Sequence, residues 1–166
     1  MGRPDIEEME NRRDIEGLMK AMHYPDAGVI LGAQKALARI GAPAVEPLIQ
    51  ALKSKDVRRG AAMALGMIVD ARAIESLTQA LRDEDIVLRI IAAVGLGEIG
   101  DARAIEPLTQ ALKDEDEGVR MGAKNALEKI KARAISASPQ VEKCPSCGVE
   151  TPVGAEFCPN CGRRVK

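Results

Sequence analysis

An all-α solenoid of stacked helical hairpins, closed by a small metal-held tail, is the fold class that these 166 residues predict. The first observation behind it is internal repetition. "DARAIESLTQALRDEDIVLRIIAAVGLGEIG" at 70–100 aligns without a gap with "DARAIEPLTQALKDEDEGVRMGAKNALEKIK" at 101–131, with 18 identities over 31 positions. A copy at 41–69 keeps the register with two residues missing from its central turn, and a fainter copy at 13–40 precedes it, which makes about four repeats. The second is composition: 46% of residues are hydrophobic, yet Tyr24 and Phe157 are the only aromatics. Ala, Leu, Ile and Val must therefore fill the core, and small side chains suit closely packed helices. The third is four cysteines, paired two and two, confined to residues 144–161.

Each repeat reads as two helices. In the last one Ile105, Leu108 and Leu112 fall on one face at i, i+3 and i+7, and Val119, Ala123, Leu127 and Ile130 mark the apolar face of a second helix. Pro47 and Pro107 fit only a first turn, where a missing N–H costs nothing, so the first helix of each unit starts just before them. Asp56, Asp85 and Asp116 lie between the helices as N-caps for the second. Two short amphipathic helices cannot bury their apolar faces alone, and stacked neighbours bury them jointly. Residues 132–143 lose the repeat; with Ser136, Ser138 and Pro139 they read as a frayed helix end and a short linker. The expected organisation is a repeat module at 1–135, a linker at 136–142 and a small module at 143–166.

The pattern A-x-A-[IV]-E-x-L-x-x-A-L, an acidic turn, V-R and then A-L-G-x-I-G resembles HEAT-like repeats of the phycobilisome-lyase type, an armadillo-like α-solenoid, over roughly residues 13–131. The resemblance implies a right-handed stack of about four helical hairpins with second helices on the concave side. It also implies that a turn Asp and the following Arg, here Asp83 with Arg89 and Asp114 with Arg120, help to hold adjacent repeats together. The second copy lacks two turn residues, which leaves Arg58 without such a partner. The first copy has no Arg at that position, as suits a terminal cap.

The cysteines form C-x₂-C-x₁₀-C-x₂-C: Cys144, Cys147, Cys158 and Cys161, in CPSCG and CPNCG. A two-residue spacer lets one tight turn aim two sulfurs at a point, and Gly148 and Gly162 accept the positive φ just beyond. Two such knuckles present four soft thiolates tetrahedrally, which suits one Zn²⁺. This resembles a small zinc ribbon with a short β-hairpin over 143–165. Four protein ligands leave no position for water, so the expected zinc is structural, and the metal supplies stability that so short a segment cannot draw from apolar burial.

Other motifs carry less. "GLGEIG" at 95–100 matches a dinucleotide fingerprint in letters but lies at a helix end rather than between a strand and a helix. There Gly66 and Gly97 permit close helix packing and Gly100 is a C-cap. The acidic turns at 83–85 and 114–117 read as caps and solvated charge. His23 is the single histidine, so the His-Glu pairs of di-iron HEAT-like hydroxylases are missing, and no residue constellation resembles an active site.

The formal net charge is −1; residues 1–138 carry 20 Lys/Arg against 22 Asp/Glu and residues 139–166 carry 4 against 3. Neither has the basic excess that phosphate binding demands. The acidic start, MGRPDIEEME, has no apolar h-region, and no apolar run suffices to span a bilayer. A cytoplasmic location is expected, where paired cysteines bind metal more often than they form disulfides.

The expected function is a non-enzymatic adaptor that binds a protein or peptide through the solenoid groove, with the ribbon as a second contact. No membrane and no small-molecule substrate is indicated. The alternatives are a nucleic-acid-associated factor that uses Arg163, Arg164 and Lys166, and a lyase- or chaperone-like protein related to bilin lyases. With Ala61, Leu65 and Ile68 facing inward, helical geometry puts Met63 opposite them with Met67 beside it, and repeat register extends the stripe to Ile90, Val94 and Met121. Those five residues are the expected partner-binding face.

Overall fold

The computed structural model describes residues 3–137 and 141–165, and its contacts separate two compact units, Met1–Ile130 and Lys131–Lys166. In the first unit, helix α1 spans Ile6–Asn11 and α2 Ile15–Ala21. Then come α3 (Ala27–Ile40), α4 (Val45–Ala51), α5 (Arg58–Ile68), α6 (Ile74–Ala80), α7 (Ile86–Ile99) and α8 (Ile105–Ala111). Helix α9, Glu117–Ala137, begins in this unit and continues into the second.

The hairpins are α2–α3, α4–α5, α6–α7 and α8–α9, so the expected stack of four is present. Pro47 and Pro107 fall in the first turns of α4 and α8. Second helices pack on second helices, α3 on α5 and α5 on α7. The core is a continuous row of buried Leu, Ala and Val that runs from Leu18 to Ile130. Val119, Ala123, Leu127 and Ile130 all lie in it.

Glycine sets the spacing between second helices. A Cβ on Gly66 would come within 2.9 Å of the Gly95 Cα, and one on Gly97 within 2.7 Å of the Ala126 Cα. "GLGEIG" is thus the last turn of α7 and its cap, with Gly100 left-handed at φ 75°. Gly41 ends α3 at φ 74° in the same role, whereas Val69, a β-branched residue, ends α5 at φ 59°. That conformation is costly for a branched side chain.

Four features depart from the sequence reading. Helix α1 precedes the first repeat and was not expected. Its Ile6 packs over Gly32 of α3, its Glu10 pairs with Arg39, and the Asp5 carboxylate caps it by accepting from the Glu8 N–H. The D-x-x-E spacing was the available signal. Secondly, Asp85 caps α7 at the N–H groups of Val87 and Leu88, and Asp116 accepts from Val119, but Asp56 caps nothing; Val57 is the N-cap of α5. The two missing turn residues tighten that turn, so the Ser54 carbonyl takes the N–H groups of Val57 and Arg58 directly and buries Val57.

Thirdly, the arginine pairing is offset by one repeat. The Asp83 carboxylate accepts from Arg58 at 2.9 Å and the Asp114 carboxylate from Arg89 at 2.9 Å. Arg58 therefore has a partner. Arg89 and Arg120 donate to carbonyls of their own turns, Arg89 to Asp83 at 3.0 Å and Arg120 to Asp114 at 2.8 Å, while the carboxylates that meet Arg58 and Arg89 come from the repeat that follows. Burial works against ionisation of Asp114. The Arg89 hydrogen bond, the Asp116 N–H and the charges of Arg89 and Arg120 outweigh it and hold the carboxyl below its ordinary range.

Lastly, only Leu108 of the Ile105–Leu108–Leu112 face is buried: Ile105 is 39% and Leu112 37% exposed, against 5% for Ile74 and 6% for Leu81 one repeat earlier. Among the described residues no further helical hairpin follows to cover them.

In the second unit, β1 (Val141–Lys143) pairs antiparallel with β2 (Glu150–Pro152), Glu142 opposite Thr151. Thr151 is fully buried and donates to the Glu142 carbonyl at 3.1 Å. Ser136, at the end of α9, donates to the Ala132 carbonyl; Ser138 and Pro139 of the expected linker lie outside the described residues.

Candidate functional site

The two CPxCG segments fold alike. In the first, the Cys144 carbonyl accepts from Gly148 at 2.8 Å and the Cys144 N–H donates to Val149 at 2.9 Å. In the second, the Cys158 carbonyl accepts from Gly162 at 2.9 Å and the Cys158 N–H donates to Arg163 at 2.8 Å. Gly148 (φ 73°) and Gly162 (φ 67°) both take the left-handed turn that closes each knuckle. The hairpin and a Phe157–Arg164 bridge hold the knuckles face to face.

The result is a sulfur cluster. Cys144 and Cys161 have sulfurs 3.7 Å apart, Cys147 and Cys158 3.6 Å apart, and all four lie within 4.8 Å of one another. A tetrahedron with Zn–S bonds of about 2.3 Å has edges of about 3.8 Å, so the spacing fits a single ion of that size. It is far too long for a disulfide, and all four cysteines are free. The Val149 N–H and the Asn160 side chain, 3.7 Å from the sulfur, pull the Cys147 thiol down to about 6. At Cys161 the Arg163 N–H acts in the same direction. Burial and the three neighbouring sulfurs outweigh it and push the thiol up to about 11. Four thiolates this close repel one another, and a bound cation is what removes that penalty. The four cysteines can hold one metal ion. Among the described residues no other group of His, Cys, Asp and Glu is gathered in this way.

The second candidate lies on the second helices. Met63, Met67, Ile90 and Val94 line one groove of about 600 Å³ with Ala62, Gly66, Val69, Ile91, Gly95 and Glu98. Met63, Met67 and Val94 are exposed and Ile90 is half-buried; Met121 is also exposed but lies outside this lining. The floor is the Gly66–Gly95 approach of α5 to α7, where no side chain intervenes. The Glu98 carboxylate is paired with Lys129, and Arg59 with Asp85. Four of the five stripe residues line this groove; Gly66 was read as a close-packing position, whereas its partner Gly95 and Val69 were not, since neither belongs to the stripe's own face.

His23 is exposed. Among the described residues no helix is long and apolar enough to cross a membrane.

The family model for HEAT repeats matches residues 15–87 and 74–142, and that for a zinc-ribbon domain matches residues 143–165. No curated protein matches the sequence at a significant level. Among solved structures, an engineered protein is 28% identical with a TM-score of 0.56, over 76% of this chain and 66% of its own. Human deoxyhypusine hydroxylase is 23% identical with a TM-score of 0.65, over 83% of this chain and 50% of its own. The complex of CpcE and CpcF of phycocyanin lyase from a Nostoc species is 18% identical with a TM-score of 0.43, over 73% and 66%. The chain thus spans half of the hydroxylase, whose likeness is one of fold, and such a fold serves enzymes and scaffolds alike. With about three quarters of its length under the first family model and the knuckles under the second, the chain belongs to the HEAT-repeat family and carries a zinc-ribbon domain at its C-terminal end.

Proposed function

We propose that this protein is a non-enzymatic adaptor that takes a protein or peptide segment into the groove across α5 and α7. The ribbon, folded around one structural zinc, offers a second contact surface. The observation that carries the reading is the groove itself: Met63, Met67, Ile90 and Val94 stand open over a floor of bare backbone. Contiguous exposed apolar surface of this kind marks interaction sites, and methionine adapts to varied partners. HEAT repeats and a zinc ribbon are both modules that assemble with other molecules. Carried on one chain, the two modules engage one partner bivalently. A cytoplasmic, reducing location belongs to the proposal, because the thiols must stay free to take metal.

Zinc is the metal proposed because four thiolates at tetrahedral spacing suit it best, with Cys144, Cys147, Cys158 and Cys161 as ligands. The near-neutral charge of both modules disfavours nucleic acid as the partner.

The test is affinity capture by the intact chain, by a Met63→Asp/Val94→Asp variant and by a chain lacking 139–166. A partner lost from the double variant while its melting temperature is unchanged supports the groove. A large fall in melting temperature, or a sub-micromolar DNA or RNA complex that salt weakens steeply, overturns the reading.

A further inference from the structure

We infer that the uncovered end of the repeat stack is a second docking face, distinct from the groove, and that it takes an amphipathic helix of another protein that ends in an Asp or Glu turn. The stack itself shows what covers such an end. Ile74, Leu81 and Arg89 of the third repeat correspond to Ile105, Leu112 and Arg120 of the fourth, 31 residues on. In the third repeat both apolar side chains are buried, and Arg89 meets the Asp114 carboxylate of the next hairpin. In the fourth, Ile105 and Leu112 stand open, and Arg120 donates only to the carbonyls of Asp114 and Glu115, both at 2.8 Å. Among the described residues no carboxylate is paired with Arg120. The missing complement is therefore two apolar contacts on α8 and one carboxylate beside Arg120. An amphipathic helix running into an acidic turn supplies both; within the chain, residues 101–116 lie beside the third repeat in this way, with Ala102–Ala104 against α6, Gln110 bonded to Arg82 and Asp114 bonded to Arg89.

The neighbouring surface narrows the occupant further. Helix α7 meets α9 through small residues, Ala93 against Gly122 and Gly97 against Ala126. The corresponding positions on α9 are Lys124 and Glu128, both exposed. A second helix cannot approach α9 as closely as α9 approaches α7, so the occupant is one helix lying on α8 and not a whole further hairpin. Stacking end to start with a second copy of this chain is opposed at the other end. There α1 already covers the first repeat, and Tyr24 stands where Asp83 and Asp114 stand in the later turns.

The probe is a capped synthetic peptide of residues 101–116, the segment that covers the third repeat within the chain, titrated into the intact protein and followed by amide chemical shifts. Binding with shifts confined to α8 and the first turns of α9 is expected. At least tenfold weakening is expected on changing Asp114→Asn in the peptide, Arg120→Ala in the protein or Leu112→Glu in the protein. No binding at millimolar peptide, shifts centred on the groove, or equal affinity for the Asp114→Asn peptide overturns the inference. Self-association of the intact protein that Leu112→Glu abolishes also overturns it, because the face would then belong to a second copy. Met63→Asp/Val94→Asp leaves peptide binding unchanged if the end face acts independently of the groove.

Discussion

Arg89 and Asp114 form a nearly buried ion pair across the joint between the third and fourth repeats, with side chains only 8% and 14% exposed. Arg58 and Asp83 form its counterpart one joint earlier, at 14% and 22%. The ladder stops at Arg120, whose hydrogen bonds among the described residues go to carbonyls alone. Removing one partner of a buried pair strands the other charge, whereas removing Arg120 takes a donor from two carbonyls and strands no charge.

Arg89→Ala is accordingly expected to destabilise the repeat module by about 3 kcal/mol, and Arg120→Ala by less than about 1 kcal/mol. Urea unfolding followed by far-UV circular dichroism separates the two. Equal losses would show that the interior carboxylates add nothing to the joints.

Gly97→Ala sets two effects against each other. Alanine is the better helix former by about 1 kcal/mol, but its methyl would lie 2.7 Å from the Ala126 Cα, backbone that cannot turn away. Overpacking costs about 1–3 kcal/mol and wins. At Gly122 the same methyl meets the Ala93 Cβ at 3.5 Å, an ordinary contact. Gly122→Ala is therefore expected to raise the melting temperature while Gly97→Ala lowers it.

Val69 closes α5 in the left-handed conformation that Gly100 adopts at the end of α7. Val69→Gly is expected to stabilise the module by about 1 kcal/mol, the strain of a branched side chain there exceeding the added freedom of glycine in the unfolded chain. Thermal unfolding checks the sign.

Asp70 and Asp101 each begin a repeat, and each is held at about 2 by a hydrogen bond from the side chain of the arginine two residues on, with its backbone N–H adding to it. A depressed carboxyl contributes stability above its unfolded value, near about 4, and loses it as pH falls towards the folded value. Asp70→Asn and Asp101→Asn should therefore flatten the stability profile between about pH 4 and 2 and leave its shape near neutrality unchanged. Acid titration of each variant against the parent protein reads this directly.

For the ribbon, one zinc per chain is expected by native mass spectrometry, and chelation or Cys158→Ser should unfold residues 141–165 while the repeats stay helical. Metal ligation in comparable peptides is worth ~10–16 kcal/mol at neutral pH, more than any apolar burial here can replace. Protein purified under reducing conditions with well under one metal equivalent and an intact hairpin would contradict it.

What the sequence disclosed and withheld follows from how local each signal is. Repeat register, proline placement and the CPxCG spacings are written in contiguous residues, so the hairpins and the sulfur cluster were legible. The arginine ladder was half legible: Arg89 does bond Asp83 and Arg120 does bond Asp114, through the carbonyls of their own turns, but sequence proximity hides the carboxylate that Arg89 reaches across the joint, that of Asp114. Asp56 looked like its counterparts, but a turn two residues shorter has no place for that cap. The exposure of Ile105 and Leu112 follows from what comes after the fourth repeat, so no pattern inside the repeat could announce it.

The bare meeting of Gly66 with Gly95 gives the groove a mechanical character of its own. A floor made of two helix backbones in contact cannot sink without steric collision, while the thioether walls at Met63 and Met67 swing through many rotamers at little cost. Depth is thus held constant and outline is left adjustable. A guest would be sorted by how far its side chains protrude, and guests unlike in shape but alike in reach would be accepted equally.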